Sequence, residues 1–340
     1  MKRDVIWEGD EALLQLTQED LDLLGCEMGD ELIWEQNDDG SVSLRKMKRL
    51  LLVDHNALLH RSRSALLRTG RKYTTSEGVP TTGVFGYLNC LLSIIDQQQP
   101  THIVVCFDAG GNSRKSESDT YKANRKPLDS DFLAENRTLL NEALYALGIE
   151  SVGLKGYEAD DLLSTFSHVA QFGIERFDEI VIATVDQDLL QCVTSRVKVL
   201  LANSAKKQVL MGVDEVVEKW GVYPEDIGMI KAISGDSSDN IKGIKGVGPK
   251  TAIKICKEAE WLPETIYQHP KLKDHVEQIK NNLSLVQLRN CLGVIGPIRW
   301  DDYVLGLGML RDWEQFLSDY ELNSLAKRVG KTTQMMKLRG

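Results

Sequence analysis

The chain has 340 residues, of which 42% are hydrophobic, and carries a formal net charge of −9. This length allows one large domain or two to three smaller ones with a buried core, and the acidic balance argues against coating nucleic acid by bulk attraction. No run of about 18 apolar residues and no hydrophobic signal region is present, so a cytoplasmic protein is expected. Basic residues nevertheless collect at residues 114–126, 242–257 and 327–339, where local patches could hold DNA.

Residues 1–46 form a small β-rich module in this interpretation. A strand-like VIW comes first, and a capped helix begins at Thr17 with Asp20 three positions later. The segments ELIWEQ and SVSLRK follow, joined by the turn signal NDDG, which predicts a hairpin.

From residue 49 the pattern alternates between apolar strands and helices. Strands are predicted at LLLVD, HIVVCFD, SVGL and EIVIATVD, with helices at 82–98, at 132–147 and from Glu158 onward. This alternation predicts an α/β core over residues 47–212, with a parallel central sheet flanked by helices. Residues 109–131 are polar, basic and too long for an ordinary connection, which indicates a loop that is either functional or disordered.

The β signal fades after about residue 212. Residues 213–300 are predicted to be a helical region, with helices at 214–220, 225–234 and 251–259. A C-terminal helical segment and basic tail are expected over 301–340.

Carboxylates follow three of the predicted parallel strands, where ligands bind in such sheets. Further carboxylates lie at the start of the helix after residue 157 and within the segment ISGDSSDN. The full set is Asp54, Asp108, Glu158, Asp160, Asp161, Asp186, Asp188, Asp236 and Asp239.

A single strand-end aspartate is more often a turn or helix cap, but nine carboxylates at one sheet edge repel one another unless a cation is present. Oxygen donors without a nearby Cys or His favour Mg²⁺, or Mn²⁺ in its place. Two such ions would support two-metal hydrolysis of a phosphodiester.

The segment KGIKGVGPKTAIK predicts a glycine turn at Gly243, Gly246 and Gly248 that opens a helix. Backbone amides and a helix N-terminus favour a phosphate, and Lys245, Lys250 and Lys254 add positive charge, so a sequence-independent grip on DNA is predicted. The alternative is a tight turn between helices with solvated lysines.

Tyr121, Lys122 and Arg125 lie in the long loop after Asp108. Lys122 and Arg125 are predicted to bind the scissile phosphate and to stabilise charge in the transition state, and Tyr121 to stack on a base. A solvated polar loop is the alternative.

The motifs VD, FDA, YKANR, GYEADD, TVDQD and GDSSDNIKGIKGVGPKTA, in this order over about residues 49–300, resemble the flap endonuclease and 5′-nuclease family. This family includes the 5′-nuclease domain of bacterial DNA polymerase I and free-standing bacteriophage 5′-exonucleases. The resemblance implies Mg²⁺-dependent hydrolysis of 5′ flaps, nicked or gapped duplexes and RNA primers, through a helical arch and a helix-hairpin-helix element.

The resemblance also implies roles for individual residues. The first metal cluster would be Asp54, Asp108, Glu158 and the catalytic Asp160, and the second Asp161, Asp186, Asp188, Asp236 and Asp239. A K⁺ ion at the hairpin would involve the backbone of Ile241, Ile244 and Val247. Arg61 matches a basic residue that binds substrate, whereas His55 stands where relatives have glycine, which puts the local backbone or a substrate contact in question.

Residues 1–46 have no counterpart in that family and resemble the AbrB-type swapped-hairpin fold. Such a small unit has too little core alone, so we expect it to form a homodimer or to add DNA affinity, with a simple packed extension as the alternative.

Three functions are compatible with these patterns. The leading one is a structure-specific 5′ nuclease of DNA replication or repair. A PIN-type ribonuclease shares the carboxylate-lined sheet, and a noncatalytic DNA junction-binding protein could keep the fold without the activity.

Overall fold

The structure is a computed structural model that describes residues 5–8, 11–26, 28, 30–70, 72–111, 114, 117–118, 120–123, 130–204, 207–305 and 312–325. The strands are β1 (Val5–Glu8), β2 (Glu11–Leu14), β3 (Leu32–Gln36), β4 (Val42–Lys46), β5 (Arg49–Asp54), β6 (His102–Cys106), β7 (Ser151–Val152), β8 (Glu179–Thr184), β9 (Val197–Ser204), β10 (Lys207–Met211), β11 (Gly235–Asp236) and β12 (Ile241–Lys242). None of the helices in these ranges is long and apolar enough to span a bilayer.

The helices begin with α1 (Gln18–Leu24), α2 (His55–Thr69), α3 (Thr82–Gln98), α4 (Ser130–Ala146) and α5 (Ala159–Phe172). They continue with α6 (Val213–Trp220), α7 (Ile227–Ser234), α8 (Pro249–Glu258), α9 (Pro263–Gln268), α10 (Val276–Val286), α11 (Leu292–Ile295) and α12 (Trp313–Asp319).

The central sheet has six strands in the order β10-β9-β8-β5-β6-β7. All neighbours pair in parallel except β10, which runs antiparallel to β9 at one edge. The predicted α/β fold with a mostly parallel sheet flanked by helices is therefore confirmed. The hairpin of β9 and β10 adds two strands beyond the predicted ones.

Both faces of the sheet are covered, because successive residues of β5 enter different cores. Leu50 and Leu52 pack in a cluster with Phe166 of α5, whereas Leu51 and Val53 pack in a cluster with residues of α2, α3, α4 and α12. This is the period-two alternation of a strand, and it explains why the segment LLLVD is apolar throughout.

The N-terminal module lies at the amino ends of the strands. The predicted capping box at Thr17 and Asp20 is present at the start of α1, and the predicted hairpin is β3–β4. The Arg45 guanidinium donates to both carboxylate oxygens of Asp178 at 2.7 Å, and Asp178 directly precedes β8. This contact lies on the side of the sheet opposite to the carboxyl ends of the strands.

Candidate active site

The first part of the site lies at the carboxyl ends of β5 and β6. Asp54 is the last residue of β5 and is buried, and its carboxylate accepts hydrogen bonds from the Ala57 amide (2.9 Å) and the Thr184 hydroxyl (2.8 Å). Asp108, two residues beyond β6, accepts the Ala159 amide at 2.7 Å. That bond joins the end of one strand to the first turn of α5.

Burial dominates the chemistry of Asp54. Burial, together with the negative charges of Asp108 and Asp186, raises the pKa of this carboxyl from 3.8 to about 6 against the two hydrogen bonds. Burial and the charges of Asp186 and Asp54 likewise raise the pKa of Asp160 well above its ordinary value. These carboxylates lie close enough to oppose one another's ionisation, as predicted for a site that receives a cation.

Glu158 precedes α5 and faces the loop that follows β6. Its carboxylate accepts hydrogen bonds from Lys122 Nζ (2.6 Å), Arg114 Nη1 (2.8 Å) and the Tyr121 hydroxyl (3.0 Å). Burial opposes its ionisation, but Lys122, Arg114 and Tyr121 together hold the pKa of Glu158 below its ordinary value. The loop after β6 therefore reaches the carboxylates through Lys122, Arg114 and Tyr121.

The second part of the site joins the end of β8 to α7 and β11. Asp186 Oδ1 accepts the Asp188 amide at 2.9 Å, so the two carboxylates share one turn. The Lys231 ammonium donates to Asp188 and, at 2.6 Å, to Asp236 Oδ2. Burial and the charge of Asp186 raise the pKa of Asp188 to about 6 despite Lys231.

Asp239 connects the two parts. It is buried, its backbone carbonyl accepts the Lys122 amide at 2.9 Å, and its carboxylate lies 3.8 Å from Lys122 Nζ. Lys122 has a positive φ of 54°, which costs a non-glycine residue backbone energy and is held by these contacts. A cleft of about 460 Å³ extends from Asp186 and Lys231 to Trp220 and to Pro249 at the start of α8.

Asp161, which was expected to hold a second ion, is paired with donors inside the protein. It is fully buried, and it accepts both guanidinium nitrogens of Arg114 at 2.7 and 2.9 Å, the Arg289 amide at 2.8 Å and the Glu158 amide at 3.1 Å. Asp160 and Asp161 do diverge along the helix as predicted, but Asp161 points to an arginine. Both of its oxygens are satisfied inside the protein, so an ion would have to displace these donors, and its assignment as a metal ligand stays a prediction.

Tyr121 also differs from its predicted role. Its side chain is 3% exposed, packs with Ile241 and Val286, and donates its hydroxyl to Glu158. A ring enclosed in this way has no free face for a nucleobase, so the predicted stacking is wrong. Arg125, the other predicted phosphate ligand, lies outside the described residues.

The glycine turn lies between β12 and α8. A Cβ on Gly243 would come within 2.1 Å of the Ser234 carbonyl, so this glycine permits close packing of backbone on α7. Gly246 has a φ of 81° with open space around it, and Gly248 caps α8. The surrounding lysines, Lys245, Lys250 and Lys254, are exposed, as a surface for backbone phosphates requires.

The remaining predicted contacts near the turn are not tested by the geometry. The side chains of Ile241, Ile244 and Val247 are buried, and the Ile244 carbonyl accepts the Val247 amide at 2.9 Å. A K⁺ ion held by these backbones therefore stays a prediction.

Two positions on α2 complete the sequence-based set. Arg61 is half-buried and its guanidinium contacts the Cys90 thiol, so its role in substrate binding stays a prediction. His55 is the first residue of an ordinary helix, and its ring Nδ1 lies 3.1 Å from the Tyr87 hydroxyl. The backbone here is helical and the imidazole packs into the interior, so the backbone accommodates a histidine, while a changed substrate contact stays a prediction.

Within the described ranges, no three His, Cys, Asp or Glu side chains form a ready-made cage around a point. Lysines instead bridge the carboxylates, Lys122 between Glu158 and Asp239 and Lys231 between Asp188 and Asp236. The groups that could bind a metal still fit hard divalent cations, because their ligand atoms are carboxylate oxygens. The raised pKa values of the Asp54, Asp160 and Asp188 carboxyl groups also favour a nearby cation. An ion would have to take over carboxylate oxygens that now accept ammonium groups.

Arg114 and Lys231 are contacts that sequence reasoning missed. Arg114 was only one of several basic residues in a polar loop, and no local pattern indicated its burial. Lys231 carried a signal that could have been used, since it is the one charged residue of the helix IGMIKAIS and comes five positions before Asp236.

Two family models match the chain, "5′-3′ exonuclease, N-terminal resolvase-like domain" over residues 49–221 and "5′-3′ exonuclease, C-terminal SAM fold" over residues 222–296. A 5′-3′ exonuclease of Bacillus subtilis is 36% identical over 73% of this chain and 83% of its own length. DNA polymerase I of Caldicellulosiruptor bescii is 38% identical over 68% of this chain, which spans only 27% of that relative.

Among solved structures, the flap endonuclease of bacteriophage T5 in a complex with DNA and metal ions is similar in fold. It has a TM-score of 0.55 and 22% identity, over 80% of this chain and 98% of the T5 chain. The described carboxylates lie at the carboxyl edge of the sheet within the first matched domain and at the start of the second. The chain therefore belongs to the 5′-3′ exonuclease family, which confirms the resemblance inferred from its motifs.

Proposed function

We propose that this protein is a structure-specific 5′ nuclease that hydrolyses phosphodiester bonds near junctions of single strand and duplex, as a 5′-3′ exonuclease and flap endonuclease. The observation that carries the proposal is the meeting of Asp54, Asp108 and Asp160 with Lys122 at the carboxyl edge of the sheet. Expected substrates are 5′ flaps, nicks, gaps, 5′ ends and the RNA of RNA–DNA primer duplexes. Replication or repair in the cytoplasm of a bacterial or phage-infected cell belongs to the same proposal.

Mg²⁺, with Mn²⁺ as a substitute, is the cofactor that this donor set favours. Asp54, Asp108, Glu158 and Asp160 would hold one ion, and Asp186, Asp188, Asp236 and Asp239 would hold a second. Ions at these positions would neutralise charge on the scissile phosphate and lower the pKa of the attacking water.

Lys122 is positioned to act on the phosphate itself. Its side chain is 10% exposed and its ammonium already lies between Glu158 and Asp239 in the space that the phosphate must approach. Glu158 and Asp239 would help to hold the ions, and the Lys122 ammonium would donate to a nonbridging phosphate oxygen and stabilise the charge that develops there. The exposed Lys245, Lys250 and Lys254 would hold the duplex by its backbone at a distance from the chemistry.

One assay tests the proposal against its two alternatives. Wild type and Asp160→Asn are incubated with Mg²⁺ and a 5′-flap duplex or a matching single-stranded RNA. Cleavage of the flap by wild type and its loss in Asp160→Asn are expected. Cleavage of the RNA alone would favour a PIN-type ribonuclease, and binding without cleavage would leave a junction-binding protein. Asp39→Asn, at the tip of the β3–β4 hairpin beyond the amino ends of the sheet, is the matched control.

The role of Lys122 has its own test. Lys122→Ala is expected to lower the single-turnover cleavage rate much more than it lowers DNA affinity, because the ammonium contacts the reacting phosphate. An unchanged rate in this variant would remove Lys122 from the reaction.

The N-terminal module is proposed to join two copies of the chain. Among residues 14–26, 28 and 30–46 only Asp20, Leu21 and Cys26 are buried, while Leu23, Met28, Trp34 and Val42 are more than half exposed. A unit with so small a core gains stability by pairing. Light scattering of the full chain and of a chain that begins at Met47 tests this, and two equal monomer masses would exclude the dimer.

A further inference from the structure

Arg114 is the most enclosed cation of the site, although it comes from the polar loop after β6. Its side chain is 3% exposed. It donates through Nη1 to Glu158 (2.8 Å) and Asp161 (2.9 Å), and through Nη2 to Asp161 (2.7 Å) and the Gln287 carbonyl (2.9 Å). One guanidinium therefore joins the loop, the start of α5 and the segment that follows α10.

Asp161 provides the geometry for this junction. Its oxygens accept the planar fork of Arg114 and also the backbone amides of Glu158 and Arg289, so the carboxylate is fixed from three sides. A bidentate pair of this kind specifies orientation as well as charge balance. Glu158 also accepts Lys122 and Tyr121, and its bond to the same guanidinium sets its carboxylate relative to Asp161.

We propose that Arg114 is a positioning residue for the nuclease reaction: paired with Asp161, it places the Glu158 carboxylate for the divalent cation and ties the loop base to the helical region after α10. This inference rests on the proposed function, and it gives Asp161 a partner inside the protein instead of an ion. Arg114 itself does not reach the phosphate, because its side chain is 3% exposed and both of its Nη groups donate to acceptors of the protein.

The change in Mn²⁺ affinity expected on removal of Arg114 is opposite in sign to the change expected if Arg114 acted only as a positive charge. Removing a cation beside carboxylates would tighten the binding of a divalent ion if only Coulomb attraction mattered. Removing a positioning group releases Glu158 and Asp161 from their orientation and weakens that binding. Calorimetric titration of Mn²⁺ into the DNA-free protein distinguishes the two.

Arg114→Ala is expected to bind Mn²⁺ at least tenfold more weakly than wild type, and to need at least tenfold more Mg²⁺ for half-maximal single-turnover cleavage of a 5′-flap duplex. Its affinity for the same duplex in EDTA is expected to stay within twofold. Arg299→Ala, which removes an exposed arginine paired with Asp302, is the control and should match wild type in every measurement. Tighter Mn²⁺ binding, or a tenfold loss of DNA affinity, would overturn the proposal.

The role of Asp161 is tested by combining variants. If Asp161 acts through Arg114, Arg114→Ala with Asp161→Asn will bind Mn²⁺ about as weakly as the weaker single variant. If the losses in Mn²⁺ affinity of the two single variants multiply in the double variant, Asp161 is an independent metal ligand and the pairing is refuted. Arg114→Lys, which keeps the charge but lacks the fork, replaces the alanine variant if that one does not fold. If wild type fails to cleave any flap, the proposed function fails, while the Mn²⁺ titrations still decide the positioning role.

Discussion

Asp54→Asn is expected to make the metal-free protein more stable while it abolishes cleavage. The carboxyl of Asp54 has a pKa of about 6 in the folded protein against an ordinary value of 3.8. That difference of about 2 pH units corresponds to about 3 kcal/mol of destabilisation when the group is ionised. The amide of asparagine removes this cost without removing the side chain.

Part of the gain is lost to hydrogen bonding. Asp54 accepts both the Ala57 amide and the Thr184 hydroxyl, and Thr184 Oγ1 also accepts the Asp186 amide. An asparagine oxygen can keep the Ala57 bond, but its NH₂ group cannot accept from Thr184, at a cost of about 1 kcal/mol. The net gain at pH 8 is therefore about 2 kcal/mol, or about 3 °C in Tm for a chain of 340 residues.

The pH dependence gives the sharper test. A carboxyl with a raised pKa binds its proton more tightly in the folded state, so its contribution to stability is greatest below about pH 4 and is lost as the pH rises through 6. The Tm difference between Asp54→Asn and wild type in EDTA should thus be near zero at pH 4 and reach its full size above pH 6. A variant that is less stable than wild type at pH 8 would refute the reasoning.

Asp178→Asn is the matched control with the opposite sign. Asp178 is also partly buried, but Arg45 and the Lys48 amide outweigh its burial and lower its pKa. Its contribution is present above the ordinary pKa and is lost on acidification. Asp178→Asn should therefore be less stable than wild type at pH 8, with the difference shrinking toward pH 3.

Two further variants probe the second half of the site and the glycine turn. Lys231→Met should lower the Tm in EDTA, because Asp188 and Asp236 lose their shared cation. Added Mg²⁺ should raise the Tm of this variant more than it raises the Tm of wild type. An equal rise in Tm for both proteins in differential scanning fluorimetry would contradict this role. Gly243→Ala places a Cβ 2.1 Å from the Ser234 carbonyl, so we expect a stability loss of about 3 kcal/mol or more and weaker duplex binding by fluorescence anisotropy. If the stability and the duplex affinity of Gly243→Ala equal those of wild type, the backbone near Gly243 can shift to accommodate the Cβ at little cost.

The order of strands and helices could be predicted because local pattern carries it. Both faces of β5 are covered, so the segment LLLVD is apolar throughout, and Asp54 follows at the edge where parallel strands end. The predicted helix at residues 82–98 is α3, whose apolar residues repeat at helical spacing. The meeting of carboxylates follows from the same topology, because a parallel sheet brings all its carboxyl ends to one side.

The partners of individual side chains could not be predicted in this way. Asp160 and Asp161 are adjacent in sequence, and the helix sends them in different directions, but only the packed loop decides that Arg114 meets Asp161. Tyr121 is a plausible stacking residue by type, and it becomes a buried hydrogen-bond donor because Ile241 and Val286 close over it. These contacts join residues more than 35 positions apart.

The sequence by itself determined the family, the parallel sheet and the collection of carboxylates at one edge, since each depends on residue type and local periodicity. Tertiary structure alone decided which acidic groups stay available and which are neutralised from within by Arg114, Lys122 and Lys231. The physical reason is that the energy of a buried charge depends on the few groups within hydrogen-bonding distance, and those groups arrive from distant parts of the chain.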